Sequence, residues 1–165
     1  MGKPPLRLET YYFTSVSVSA DPCYEPKEGI TPTVTIDTDV GLGQHSDDPK
    51  WWMVTLGVHA KSPGEKPIPY NMDLEVVGFF RVEPEVEKGK APLLVQANGA
   101  AILYSAAREF LLTITGRGPW PPIALPTVNF LGYKKKSGKR VSPSRGVRKS
   151  SRRKKQAVSA MGKSH

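Results

Sequence analysis

With a single cysteine, Cys23, in 165 residues, the chain cannot close an internal disulfide. Asp21-Pro22-Cys23-Tyr24 supplies neither a second thiol nor a neighbouring histidine that would make Cys23 a nucleophile or a metal ligand. Long apolar runs are missing too: no stretch approaches the roughly 18 residues of a membrane span. Met1-Gly2-Lys3-Pro4-Pro5 leads into alternating residues rather than the apolar block of a signal peptide, and Leu6 stands where a myristoylation motif needs Ser or Thr. A cytoplasmic location is the resulting expectation. Catalytic motifs are equally scarce. His45 lies near Asp47 and Asp48 and His59 sits in an alternating run, but neither belongs to an H-E-x-x-H pattern. No G-x-S-x-G elbow occurs, and Gly116-Arg117-Gly118 lacks the Lys-Ser/Thr and preceding strand of a phosphate loop. Asp37 and Asp39 share a strand face without further ligands at recognisable spacing, so they read as a strand end meeting solvent. Neither an enzyme nor a cofactor or metal site is expected.

The formal charge of +9 looks like a nucleic-acid signature until it is divided. Thirteen of the 24 Lys and Arg residues lie from Lys134 onward, where there is no Asp or Glu. The 11 that remain face 15 acidic residues in 1–133. The expected domain, 1–133, is thus acidic, and the basicity belongs to 134–165. That segment carries clusters such as Lys134-Lys135-Lys136 and Arg152-Arg153-Lys154-Lys155 among Ser, Gly and Pro, with no apolar periodicity. It cannot bury enough surface to offset ordering entropy and is expected to be disordered.

Alternation defines four strands. In Leu6–Val18, Leu6, Leu8, Thr10, Tyr12, Thr14, Val16 and Val18 fall on one face, with Tyr11 and Phe13 central on the other. Thr31–Asp39 carries Val34 and Ile36 inward, and Gly41, Gly43 and the residues to Pro49 read as a long turn. Trp51–Lys61 alternates Trp52, Val54, Leu56 and Val58, and Tyr70–Val82 alternates Tyr70, Met72, Leu74 and Val76, with Gly78 a bulge or bend. Strands joined by turns imply an antiparallel meander. A charged connector, Glu83–Lys90, then leads to a helix from about Ala100, where Leu103, Ala107, Phe110, Leu111 and Ile114 recur at helical spacing. The fold class is therefore α+β: a four-stranded antiparallel sheet packed on one long helix.

Gly116 and Gly118 end the helix, and Trp120 follows between Pro119 and Pro121-Pro122. These prolines fix φ, remove backbone donors and force an extended exit. Through Ile123, Leu125, Val128 and Phe130 that exit stays apolar, so it needs a surface to lie on: the protein's own core, or an apolar peptide beside it.

The order Ala107-Arg108-Glu109, Arg117-Gly118, Trp120-Pro121, Leu125-Pro126 and Val128-Asn129-Phe130 resembles the SecB family of protein-export chaperones. Thr31-Pro32 leading to Val34-x-Ile36-Asp37-x-Asp39, and Asp73-Leu74-Glu75-Val76-Val77-Gly78-Phe79-Phe80, are similar to that family's second and fourth strands. The resemblance implies an ATP-independent chaperone that keeps unfolded preproteins competent for export and assembles as a dimer of dimers. It implies a client groove at Ile30, Tyr70, Tyr104, Trp120 and Phe130. Oligomer contacts are implied at Tyr11, Phe13, Met72, Leu74, Val76, Leu103 and Ala107. Docking to the SecA motor is implied at Asp73, although Ser15 and Ser19 stand where two further acidic positions are expected. The family continues after Asn-Phe with a second helix, whereas here Leu131-Gly132-Tyr133 runs into the basic segment. This departure leaves Trp120 and Phe130 more exposed than the family pattern implies. Some relatives instead serve toxin-antitoxin pairs. A rival reading makes the basic segment the functional part, binding RNA, the ribosome surface or anionic lipid, with the sheet domain serving to oligomerise.

Overall fold

The computed structural model describes residues 3–29, 34–60 and 68–131. Four antiparallel strands, β1 (Leu6–Ala20), β2 (Ile36–Gln44), β3 (Trp51–Ala60) and β4 (Tyr70–Val82), precede a continuous helical segment. That segment comprises α1 (Ala91–Leu94), a π-helical turn (Val95–Gly99) and α2 (Ala100–Thr115). The helix therefore begins earlier than its strongest apolar pattern, with Pro92 in the first turn, where a missing N–H costs nothing. Among the described residues, no helix is long and apolar enough to cross a membrane.

The sheet order is β1-β4-β3-β2. β2, β3 and β4 form the expected meander, but β1 pairs with β4 on the far edge rather than with β2. Read from its C-terminal end, this is a Greek-key order. Residues 21–35 separate β1 from β2 and are long enough to cross, whereas fewer residues, 45–50 and 61–69, separate the other strands. The β2 bounds also differ from the expectation. The strand continues through Gly41 and Gly43, which pair with Thr55 and Met53, because Val40 and Leu42 keep the alternation going on the helix side.

One face of the sheet is covered by the helix. Trp52, Val54, Leu56, Val58 and Ala60 of β3 and Tyr70, Met72, Leu74, Val76, Phe80 and Val82 of β4 are buried there, as the alternation predicts. β1 departs from it. Register shifts between Leu8 and Thr10 and between Phe13 and Ser15 each set two residues of β1 against one of β4, and each bulge reverses which side chains face the helix. Leu6, Leu8, Tyr11, Phe13, Val16 and Val18 thus share the helix side, while Tyr12 moves to the outer face beside Phe79, with ring centroids 6.1 Å apart. Phe13 stacks on Phe110 of α2 at 4.4 Å, tying the edge strand to the helix.

Gly78 lies in regular pairing with Val54 and Tyr11 and is not a bulge. A Cβ there would lie 2.7 Å from Leu103 Cδ2 and 2.9 Å from Phe80, so the residue must lack a side chain for α2 to sit this close. Gly99, in the π-helical turn, makes the matching approach: a Cβ there would be 3.0 Å from Val54 Cγ2. At the far end of the sheet, His45 Nδ1 accepts the backbone N–H groups of Asp47 (3.2 Å) and Asp48 (3.1 Å), so this histidine closes the β2–β3 turn. Gly78→Ala is expected to cost about 1–3 kcal/mol by overpacking. Gly41→Ala, with 3.5 Å to its nearest neighbour, is expected to change stability by less than about 0.5 kcal/mol; urea unfolding of the two variants side by side tests the contrast.

Candidate functional site

The end of α2 meets the start of β4 and the proline-rich loop 116–131. Tyr70, first residue of β4, is buried, and its hydroxyl lies 3.1 Å from the carbonyl oxygen of Thr115 and 2.8 Å from that of Trp120. The same oxygen accepts the Trp120 backbone N–H at 2.9 Å. Gly118 is required for this arrangement, since a Cβ there would collide with the Tyr70 ring and hydroxyl. Thr115 is completely buried. Its Oγ1 donates to Leu111 O at 2.7 Å and accepts the Ile123 N–H at 3.0 Å. Prolines leave this loop few donors, and the two side-chain hydroxyls accept two of those that remain, the N–H groups of Trp120 and Ile123.

Further along, Tyr104 of α2 donates its hydroxyl to Pro126 O at 2.7 Å. Its ring meets Phe130 edge-on at 5.6 Å. Burial pushes the Tyr104 hydroxyl up to about 12, with Arg108 pulling it the other way, so Tyr104 stays a neutral donor across physiological pH. Ile123, Leu125 and Phe130 are buried in the core under these anchors. The apolar exit thus lies mainly on the protein's own helix and sheet.

Of the expected groove residues, Ile30 lies outside the described residues. Tyr70, Tyr104 and Phe130 come together at the helix–loop junction, but all three are buried, at 2%, 5% and 3% exposure. Phe130 is therefore not exposed by the departure from the family pattern that follows it, because Tyr104 covers it. Trp120 alone among the described four keeps accessible surface. Its Nε1 donates to Asp21 O at 3.0 Å, and Tyr24 packs edge-on against it at 5.6 Å. The β1–β2 connection thus supplies one flank of the site, which alternation alone does not reveal.

The expected oligomer residues divide in the same way. Met72, Leu74, Val76, Leu103 and Ala107 are buried at 2% or less inside this chain, between sheet and helix, and leave no surface for a second copy. Tyr11 is 44% exposed and Phe13 half-buried at the β1 edge. Ile102 and Leu112 are exposed apolar positions of α2.

The outer face of the sheet divides into two chemistries. Near one end lie Tyr12, Met53, Phe79 and Trp51, the last under the Arg81 guanidinium at 5.8 Å. A cleft of about 430 Å3 opens there among Gly43, His45, Trp51, Met53 and Phe79. Toward the other end Asp73 pairs with Ser17, Glu75 with Ser15, and Ser19 with Asn71. Asp73, expected for docking, therefore shares its face with both serines that replace acidic positions. His59 stands beside it in β3. The segment 134–165, including Lys134–Lys136 and Arg152–Lys155, lies outside the described residues.

The model of the family described as preprotein translocase subunit SecB matches residues 2–139. The chain belongs to the SecB family. This SecB-family protein is 25% identical over 128 residues to the protein-export protein SecB of Hyphomonas neptunium, covering 78% of this chain and 75% of that one. It is 27% identical over 136 residues to protein MJ0357 of Methanocaldococcus jannaschii, covering 80% and 86% of the two chains. Its fold is that of the Mycobacterium tuberculosis SecB-like chaperone Rv1957, solved in complex with a ChAD peptide from the Rv1956 HigA1 antitoxin. That similarity has a TM-score of 0.59 at 16% identity and covers 76% of this chain and 91% of the other.

The anchoring of the loop has a direct test. Thr115→Val retains shape but leaves the Ile123 N–H buried without its acceptor, at an expected cost of about 1–3 kcal/mol. Thr115→Ser, which keeps the oxygen, is expected to recover more than half of that loss in urea unfolding.

Proposed function

We propose that this SecB-family protein is an ATP-independent holding chaperone whose client surface is centred on Trp120. The observation that carries the reading is the division of labour around the loop. Tyr70, Thr115 and Tyr104 hold the backbone of 116–131 by hydrogen bonds, while Trp120, flanked by Tyr24, retains apolar area at the surface. An indole on a fixed loop, with a phenol from the β1–β2 connection packed against it, offers large contact area with little rotamer entropy to lose, and every apolar client segment has a surface that suits it. Val128 and Leu131 extend apolar surface along the same loop. The clients are unfolded preproteins, held in the cytoplasm until export, and SecA docks on the outer face through Asp73.

A second reading has a specific observation in its favour. The M. tuberculosis chaperone of the same fold was solved with a peptide from an antitoxin, so an antitoxin segment is the other client class for this surface. The basic segment adds an independent electrostatic contact to RNA, ribosome or anionic lipid, salt-dependent because bound counterions are released.

The protein works as an oligomer. β1 is an exposed edge of 15 residues, and an edge this long invites pairing with a second copy. Tyr11 and Phe13 lie at that edge, and Ile102 and Leu112 of α2 offer the apolar surface for a further contact.

In the full-length chain, Trp120→Ala is expected to weaken binding of a denatured, dye-labelled polypeptide at least about tenfold. The mass measured by light scattering should stay unchanged. Unaltered affinity rejects the Trp120 surface. A chain ending at Tyr133 should still suppress client aggregation; if it does not, and only nucleic-acid binding is lost, the basic segment is the functional part.

A further inference from the structure

Three strands bring one imidazole against two carboxylates on the outer face. His59 of β3 pairs in register with Asp73 of β4 and Asp37 of β2. Its Nδ1 lies 3.1 Å from Asp73 Oδ2, and its Nε2 lies 2.8 Å from Oδ1 of Asp39, the diagonal neighbour. The diagonal reach is possible because Asp39 pairs with Gly57. A Cβ at Gly57 would collide with the Asp39 carboxylate and come within 2.8 Å of His59 Nε2. The sheet therefore contains a gap of one side chain, and the bridge fills it. It is not a metal centre: among the described residues no group of three or more His, Cys, Asp or Glu could hold an ion.

An imidazole faced by carboxylate oxygens at both nitrogens can donate to both only as the cation; the neutral ring points a lone pair at one of them. We propose that the Asp39–His59–Asp73 bridge is a proton-operated clasp on the outer face. With His59 charged, both carboxylates are held and one of their two negative charges is cancelled. With His59 neutral, one carboxylate is released and the face presents more negative charge to a cationic partner. The consequence for a partner rests on the docking role proposed for Asp73, whereas the clasp itself does not.

Burial disfavours the charged ring, but the hydrogen bonds to Asp39 and Asp73, with their negative charge, outweigh it and raise the His59 pKa. The other acidic groups at neighbouring register positions are Asp37 from β2 and Glu75 from β4, while β1 contributes the uncharged Ser15 and Ser17. The sign follows. A raised folded-state value means that the clasp stabilises the fold fully below about pH 6.5, the unfolded-state value, and that this contribution is lost as pH rises through the folded midpoint. Docking of a cation should be weakest at the acidic end of that window.

Histidine titration of the full-length chain by NMR tests the clasp, with the His59 resonance assigned through His59→Gln. The expected midpoint lies above 6.5 and falls back toward it in Asp39→Asn, in Asp73→Asn and in Gly57→Ala, which closes the gap. A midpoint at or below 6.5, or one that none of the three variants moves, overturns the proposal. The backbone amides of Asp39 and Asp73 should follow the same midpoint and lose that inflection in His59→Gln. For docking, tetralysine blocked as its N-acetyl amide, and so without a titrating α-amino group, keeps constant charge from pH 6 to 8.5. Its affinity should rise about two- to threefold across that range, and the rise should be absent in His59→Gln. A clasp that titrates as stated with pH-independent tetralysine binding overturns the docking consequence alone. Client binding at Trp120, assayed separately, is unaffected by either result.

Discussion

The close seating of α2 on the sheet, through Leu103 over Gly78 and the π-helical turn over Val54, positions nearly everything else. A helix at this distance buries Ala100, Leu103, Ala107 and Leu111 completely and brings Phe110 onto Phe13 of the edge strand. It also places Tyr104 and Thr115 where they can reach the loop. Enlarging Gly78 would force Leu103 and Phe80 to shift, and enlarging Gly99 would press on Val54, because protein interiors are densely packed.

The loop that follows shows how a proline-rich segment becomes rigid without secondary structure. Three side-chain hydroxyls from β4 and α2, those of Tyr70, Thr115 and Tyr104, bond its backbone at Trp120, Ile123 and Pro126. Each side chain is itself buried, and the bonds of Thr115 form away from competing water. Fixing the backbone in this way lets Ile123 and Leu125 point into the core and leaves Trp120 at the surface. The rigidity that holds the loop and the accessibility that a binding surface needs therefore come from different side chains of one short stretch.

The outer face has no such cover. Its apolar end, with Tyr12, Met53 and Phe79, and its acidic end, with Asp39, Asp73 and Glu75, are separated along the strands rather than mixed. The bulge between Leu8 and Thr10 contributes directly, since it brings Tyr12 to this face and sends Tyr11 and Phe13 to the other, and the second bulge returns Val16 and Val18 to the helix side. A sheet that carries its helix on one side only thus has an aromatic loop on the helix side and a charged surface on its back.

Alternation in Trp51–Lys61 and Tyr70–Val82, the apolar stripe of α2, the glycines that end it and the excess of basic over acidic residues in 134–165 were legible in the sequence. Each is written into residues a few positions apart. The family likeness was legible because its landmarks are consecutive in the chain. The bulges in β1 were not, because a bulge is a mismatch between two strands and neither strand records it alone. The strand order, the packing of Phe130 under Tyr104 and the contact of Tyr24 with Trp120 across 96 positions of sequence join segments far apart in the chain. The His59 bridge is the sharpest case. Alternation puts Asp39, His59 and Asp73 on one face, but only the pairing register and the missing side chain at Gly57 decide that one ring touches both acids. Local periodicity marks the buried positions of β3, β4 and α2; the facing of β1 and the contacts between distant strands are set when the whole core packs.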